Sequence, residues 1–247
     1  MLSKQNILTL LAVAVFAVAA VLIVPANAGA LSSDKKTSAK TGVETPLNLA
    51  VLIQDDLESR VGNELDVTRN FIRGLPAGSR VMVGYITNGS LQVRQKFTDD
   101  LEKAAGSLRI PRSSDNASPY NPYVEVIEAL RKFDDGSKNR NAILLISDGL
   151  DTSRGFDSTS AGQTLDLERA IREANRRNVA VYSFYAPSVG LTRWNRTAAS
   201  YGQSSLNRLS IETGGRAFFQ GSTGYVTFDS YFDRLREALN EQYARAY

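Results

Sequence analysis

Three carboxylates stand together just after an apolar run: Asp55, Asp56 and Glu58 follow Leu47–Ile53. The pattern recurs at Ser147-Asp148-Gly149-Leu150-Asp151, directly after Ala142–Ile146. Clustered carboxylates suit few tasks. They hold hard cations through oxygen, or act as acid and base in hydrolysis. The plain alternative is that Asp55 or Asp56 only caps a following helix. Composition removes other chemistries. The chain has no cysteine and no histidine. Disulfides, thiol nucleophiles, Ser-His-Asp catalysis and His- or Cys-ligated zinc are therefore excluded.

The elements that must position these acids follow from periodicity. Leu47–Ile53 is almost wholly apolar, as a strand buried on both faces requires. Leu57, Val61, Leu65, Thr68, Phe71, Ile72 and Leu75 then recur at helical spacing. Leu75-Pro76-Ala77-Gly78 ends that helix. Arg80–Ile86 reads as a strand, Asn88-Gly89 as a tight hairpin turn, and Leu91–Phe97 as its antiparallel partner. Arg94 and Lys96 suit a sheet edge. Asp99–Leu108 reads as a short helix and Pro111–Pro122 as a loop. Tyr123, Val126, Ile127 and Leu130 mark a helix begun at Pro122. Ala142–Ile146 is a second buried strand, and Leu167, Ala170, Ile171 and Ala174 mark another helix. Val179–Tyr185 is a strand, Pro187–Ser204 a long loop, and Leu206–Thr213 a helix stopped by Gly214-Gly215. A short strand at Arg216–Phe219 and a helix through Phe228, Tyr231, Phe232, Leu235 and Leu239 close the chain. Strands that alternate with helices give a doubly wound, mostly parallel α/β sheet with one antiparallel edge strand and helices on both faces. The acids then sit at the carboxyl ends of central strands, where such sheets bind ligands.

The 247 residues are 43% hydrophobic and 22% charged, which suits one α/β domain with a leader. The formal net charge of +3 gives no argument for a nucleic-acid partner. Lys4, the apolar run Ile7–Val24 and Ala26-Asn27-Ala28 have the form of a signal peptide cleaved after Ala28. An uncleaved membrane anchor is the alternative. Residues 29–45 are small and polar, hence a tether, and 46–247 form the domain. Export to a periplasmic or extracellular location is the expectation.

The phrases LNLAVLIQDDLES (47–59), ILLISDGLD (143–151), VAVYSFY (179–185) and LNRLSIETGGRAFF (206–219) are similar to those of the von Willebrand factor type A (vWA) domain. They most resemble its secreted bacterial group, first described from acidobacteria. The resemblance covers roughly Leu47 to Tyr243. It implies a cup of three loops at the top of the sheet, holding a magnesium-like ion that an acidic group of a partner completes. Asp148 matches the third loop, and Ser118 is the best counterpart of the second-loop threonine. The first loop departs from the family's Asp-x-Ser-x-Ser. In the preferred register Gln54, Asp56 and Glu58 hold its three ligand positions. One residue later, Asp55, Leu57 and Ser59 would hold them. Gln54 removes a charge, while Asp56 and Glu58 bring two where hydroxyls belong. Any cation held would then be a divalent one of calcium-like character. The competing outcome is an arginine or lysine in the cup and no metal.

The function expected is a secreted or envelope-associated protein-binding module with a degenerate adhesion site. Tyr120 and Trp194, with Arg193 and Arg196 beside the tryptophan, are the candidate partner anchors. The alternatives are a structural subunit of an envelope assembly, or a carboxylate-dependent hydrolase. Against the hydrolase, Asp56 and Glu58 lie two residues apart on one loop rather than flanking a cleft. The chain is therefore read as non-enzymatic.

Overall fold

The computed structural model describes residues 42–113, 120–134, 136, 139–156, 164–219 and 227–246. The leader, most of the tether and Ser118 lie outside the described residues. Among the described residues no helix is long and apolar enough to cross a membrane.

Six strands form one sheet. They are β1 (Leu47–Gln54), β2 (Arg80–Thr87), β3 (Ser90–Thr98), β4 (Arg140–Ser147), β5 (Val179–Tyr185) and β6 (Ala217–Phe218). Their spatial order is β3-β2-β1-β4-β5-β6, and only the β2–β3 pair is antiparallel. That pair turns on Asn88 and Gly89, both at positive φ (49° and 69°), as a two-residue hairpin turn of the primed kind requires. β1 lies between β2 and β4, and all eight of its residues are buried. Its run, apolar from Leu49 to Ile53 with Asn48 and Gln54 the polar residues, is what a strand covered on both faces demands.

Helices cover the two faces. They are α1 (Leu65–Arg73), α2 (Leu101–Gly106), α3 (Pro122–Leu130), α4 (Leu165–Arg176), α5 (Leu191–Trp194), α6 (Arg196–Glu212) and α7 (Asp229–Ala246). Leu49, Val51 and Ile53 of β1 pack with α1, α2 and α7 through Phe71, Ala104 and Phe232. Ala50 and Leu52 face the other way, toward α3, α4 and α6 through Val126, Ala170 and Leu206. Each face is a separate apolar layer, as the period-two alternation of a strand dictates. Phe184 anchors the first layer, with Phe218, Phe228, Tyr231 and Phe232 each within 5.5 Å of its ring centroid.

Three expected boundaries move. The segment after β1 is not helical from Leu57; a 3-10 stretch, Ser59–Glu64, precedes α1. Neither Asp55 nor Asp56 caps it, since its N-cap is Glu58, which makes no side-chain cap bond. The expected loop Pro187–Ser204 instead holds α5 and the first half of α6, where the Asn195 side chain caps the helix on the Ala198 amide. The third is small: α2 is confined to Leu101–Gly106 and capped by Asp100.

At the base of the sheet the incoming chain is tied to the last helix. Asn240 of α7 donates to the Gly42 carbonyl and accepts from the Glu44 amide. Arg140, at the start of β4, donates to the Leu239 carbonyl.

Candidate functional site

Parallel pairing brings the carboxyl ends of β1 and β4 side by side, so Gln54 meets Ser147 and Asp148. The Gln54 amide oxygen accepts from the Ser147 hydroxyl at 2.7 Å and from the Asp148 amide at 2.8 Å. Its amide nitrogen donates to Asp56 Oδ1 at 2.6 Å. Asp148 Oδ1 accepts from the Leu150 amide at 3.1 Å and from the Tyr120 hydroxyl at 3.4 Å. Oδ2 accepts from the Thr192 hydroxyl at 3.0 Å. Thr192 in turn meets Ser188 at 3.0 Å. These groups form one polar network at the top of the sheet.

Backbone fit holds Asp148 in place. Gly149 has φ +70° and lies against Gly202 of α6. A Cβ at Gly202 would fall on the Asp148 carbonyl oxygen, so helix and loop meet backbone to backbone. Only glycine permits that approach.

Charge is unbalanced at this point. Burial and the neighbouring Asp148 push the Asp56 carboxyl up to about 6. Burial also raises Asp148, against hydrogen bonds that favour its charged form. Two nearby carboxylates resist ionising together. Tyr120 is raised as well, by burial and by Asp148, so its hydroxyl stays a donor.

The other two first-loop acids point elsewhere. Asp55 faces the opposite side of β1. Its oxygens take both terminal nitrogens of Arg109, at 2.5 and 2.8 Å, with the Arg112 amide and the Thr87 hydroxyl. Burial alone would raise its carboxyl; these donors hold it below its ordinary value. Arg109 lies flat on Tyr85, 4.0 Å from the ring centroid. The Tyr85 hydroxyl grips the Arg109 backbone through both the amide and the carbonyl. Glu58 is buried beside Arg193, 3.3 Å from its Nε.

The preferred register therefore brings Gln54, Asp56 and Asp148 together and leaves Glu58 on an arginine. In the alternative register Asp55 is bound by Arg109, Leu57 is buried and Ser59 is exposed. Tyr120 differs from its expected place on the rim. It is 7% exposed and its hydroxyl reaches inward to Ser147 and Asp148. Trp194 is 76% exposed, with the Arg193 guanidinium 4.6 Å from its ring centroid. Thr192, Ser188 and Arg109 were not singled out in the sequence; isolated polar residues in loops and short helices carry no periodic signal.

The resemblance implies a divalent ion here, but the described donors do not fit one. Both Gln54 polar atoms, and both Asp148 oxygens, are engaged within the protein. The Gln54 group facing Asp56 is a donor, which repels a cation. Among the described residues no three acids are placed to share an ion.

No family model matches the chain, and no curated protein matches it. Among solved structures it is similar to the conserved hypothetical protein BatB from Bacteroides thetaiotaomicron. The two are 11% identical with a TM-score of 0.56, over 80% of this chain and 99% of that one. An aerotolerance-related membrane protein from Bacteroides fragilis, crystallised with multiple mutations to serines, is 14% identical. Its TM-score is 0.53, over 79% of this chain and 99% of that one. The VWA domain of SpRpn10 aligns at 11% identity and a TM-score of 0.46, over 81% of this chain and 95% of that one. At such identities the likeness to the two Bacteroides proteins is one of fold: a doubly wound α/β domain.

Proposed function

We propose that the chain is an exported, non-enzymatic vWA-type module of the secreted bacterial group, and that it binds a protein partner through the top of its sheet without a divalent ion. One observation carries this reading: helix α5 joins the polar network to an exposed anchor. Thr192 holds Asp148, Arg193 faces Glu58, and Trp194 stands 76% exposed. Leu191, 37% exposed, widens the apolar surface. Tryptophan and arginine are both enriched among the residues that anchor interfaces, and here the two meet as a cation–π pair. The membrane protein named among the structural neighbours supports an envelope setting. Asp56 and Asp148 share one enclosed network rather than flanking a cleft, so hydrolysis is not part of this reading.

The test is capture of partners from the host envelope by the purified protein and by Trp194→Ala, beside calorimetric titration with calcium and magnesium. Capture that is lost in the variant and indifferent to chelator supports the reading. Capture that needs millimolar calcium, or saturable heat with either ion, overturns its metal-free part. Capture equal in both proteins removes Trp194 from the interface.

A further inference from the structure

A second concave surface lies far from the cup. It opens where the lower half of the edge strand β3 meets the end of α3. The groove encloses about 520 Å³ and is lined by Arg80, Met82, Val93, Lys96, Phe97, Lys132 and Asp134. Its volume falls within the range of small-molecule sites, about 300–1,000 Å³. The floor is apolar: Met82 is buried, and Val93 and Phe97 are half-buried. Phe97 is held edge-on by Phe133, with centroids 4.9 Å apart.

Two features set this groove apart from ordinary surface. The first is the backbone. Val81 pairs with Thr98, Val83 with Gln95 and Gly84 with Val93. Strand β3 therefore carries two extra residues against β2. Alternation fails there, and Lys96 and Phe97, adjacent in sequence, both line the groove. Bulges re-aim side chains in this way at sheet edges and binding sites. An edge lysine that only blocks strand pairing needs no such turn. The second feature is charge. Three cations and one acid line the groove. Asp134 is taken by Arg80 at 2.7 Å. Lys132 is 3.4 Å from Glu128, and both are solvent-exposed, a weak pairing. Lys96 has no ion-pair partner among the described residues. The same bulges break the outer face of the strand as a template for pairing, so an added β-strand fits poorly.

We propose that this groove binds a small amphiphilic anion of the fatty-carboxylate class. Its chain lies on Met82, Val93 and Phe97, and its head group sits between Lys96 and Lys132. The site is independent of the top-face interaction.

The test uses the purified protein with decanoate as probe, read by calorimetry and by amide NMR shifts. Decanol supplies the chain without charge, acetate the head without the chain, and decyltrimethylammonium the opposite charge. The expected result is saturable decanoate binding with shifts confined to the start of β2, to β3 and to the end of α3. Decanol and the Lys96→Glu variant should each bind about tenfold more weakly or worse. Lys96 is exposed, so the variant keeps its fold, and unchanged melting confirms this. Acetate and the cationic probe should not saturate. Decanol binding as tightly as decanoate, Lys96→Glu binding unchanged, shifts located elsewhere, or no saturable decanoate binding would each overturn the assignment.

Discussion

Asp56 is the side chain whose ionisation the fold opposes most openly. Its carboxyl is raised from 3.8 to about 6 by burial and by Asp148. A raised acid binds its proton more tightly folded than unfolded. Stability must therefore fall as pH rises through the interval between the two values. The expected loss between about pH 4 and pH 6 is on the order of 1–3 kcal/mol, shared with Asp148. Asp55 has the opposite sign: its lowered carboxyl stabilises the fold above its unfolded value, and that contribution fades only at more acid pH. Denaturant melts across this range should show the mid-range fall, and Asp56→Asn should abolish most of it while raising stability at neutral pH. A flat profile in the unsubstituted protein would mean the two carboxylates do not oppose each other. Trp194→Ala makes the contrasting residue-scale prediction. Stability should change by less than about 0.5 kcal/mol, since the ring is 76% exposed. Partner affinity should fall by about 2 kcal/mol or more. At this scale the sequence was legible for charge and silent on partners. Asp55, Asp56 and Glu58 look alike in a row. Asp55 and Asp56 part because successive residues turn to opposite faces, with Arg109, 54 residues away, waiting for the first; Glu58, two residues on, meets Arg193.

The elements were legible where burial writes an unbroken apolar run. β1, β4 and β5 were found within two residues of their ends, because both faces of each are covered. Leu52 and Leu144 sit on these neighbouring strands, each fully buried, on opposite faces of the sheet. Either one changed to alanine should cost about 2–5 kcal/mol in denaturant melts. The first half of α6 was not legible. Its buried residues there are Ala198, Ala199, Gly202 and Ser205, small residues that leave no hydrophobic period to read. At Gly202 the smallness has a structural cause, since backbone meets backbone there. Gly202→Ala is therefore expected to destabilise by more than the removal of an ordinary surface side chain, on the order of 2–4 kcal/mol. It should also disturb Asp148 and Thr192, which amide NMR would report. A melting temperature within error of the parent would show that α6 can shift without cost. The start of α1 differs for another reason: Leu57 and Val61 are buried at helical spacing, but Leu57 bridges to Ser188 and a 3-10 stretch, Ser59–Glu64, follows before α1.

In the whole molecule, a mostly parallel sheet with an antiparallel edge hairpin and an apolar layer on each face follows from the alternation of strands and helices, and this much is legible in the sequence alone. The content of the cup was not, because it depends on which partners meet when β1 and β4 align. Gln54 is the clearest case. A glutamine at the strand end reads as a lost ligand, whereas in the folded chain its amide ties Asp56 to Ser147 and Asp148. On the far side of the sheet the Asp55–Arg109 pair fastens the segment that follows α2. Asp55 is almost wholly enclosed, so Arg109→Ala would strand a buried charge. That variant should lose about 3–5 kcal/mol, measured by urea unfolding. The clasp of Asn240 on Gly42 and Glu44 has a further bearing on how the molecule can be displayed. It fixes residue 42 at the base, while β1 runs the length of the sheet before Gln54 reaches the cup. Eight extended residues at about 3.3 Å each separate the two by roughly 25 Å. A leash or chip surface joined ahead of residue 42 would hold the domain by its back, leaving the Trp194 face turned toward whatever arrives.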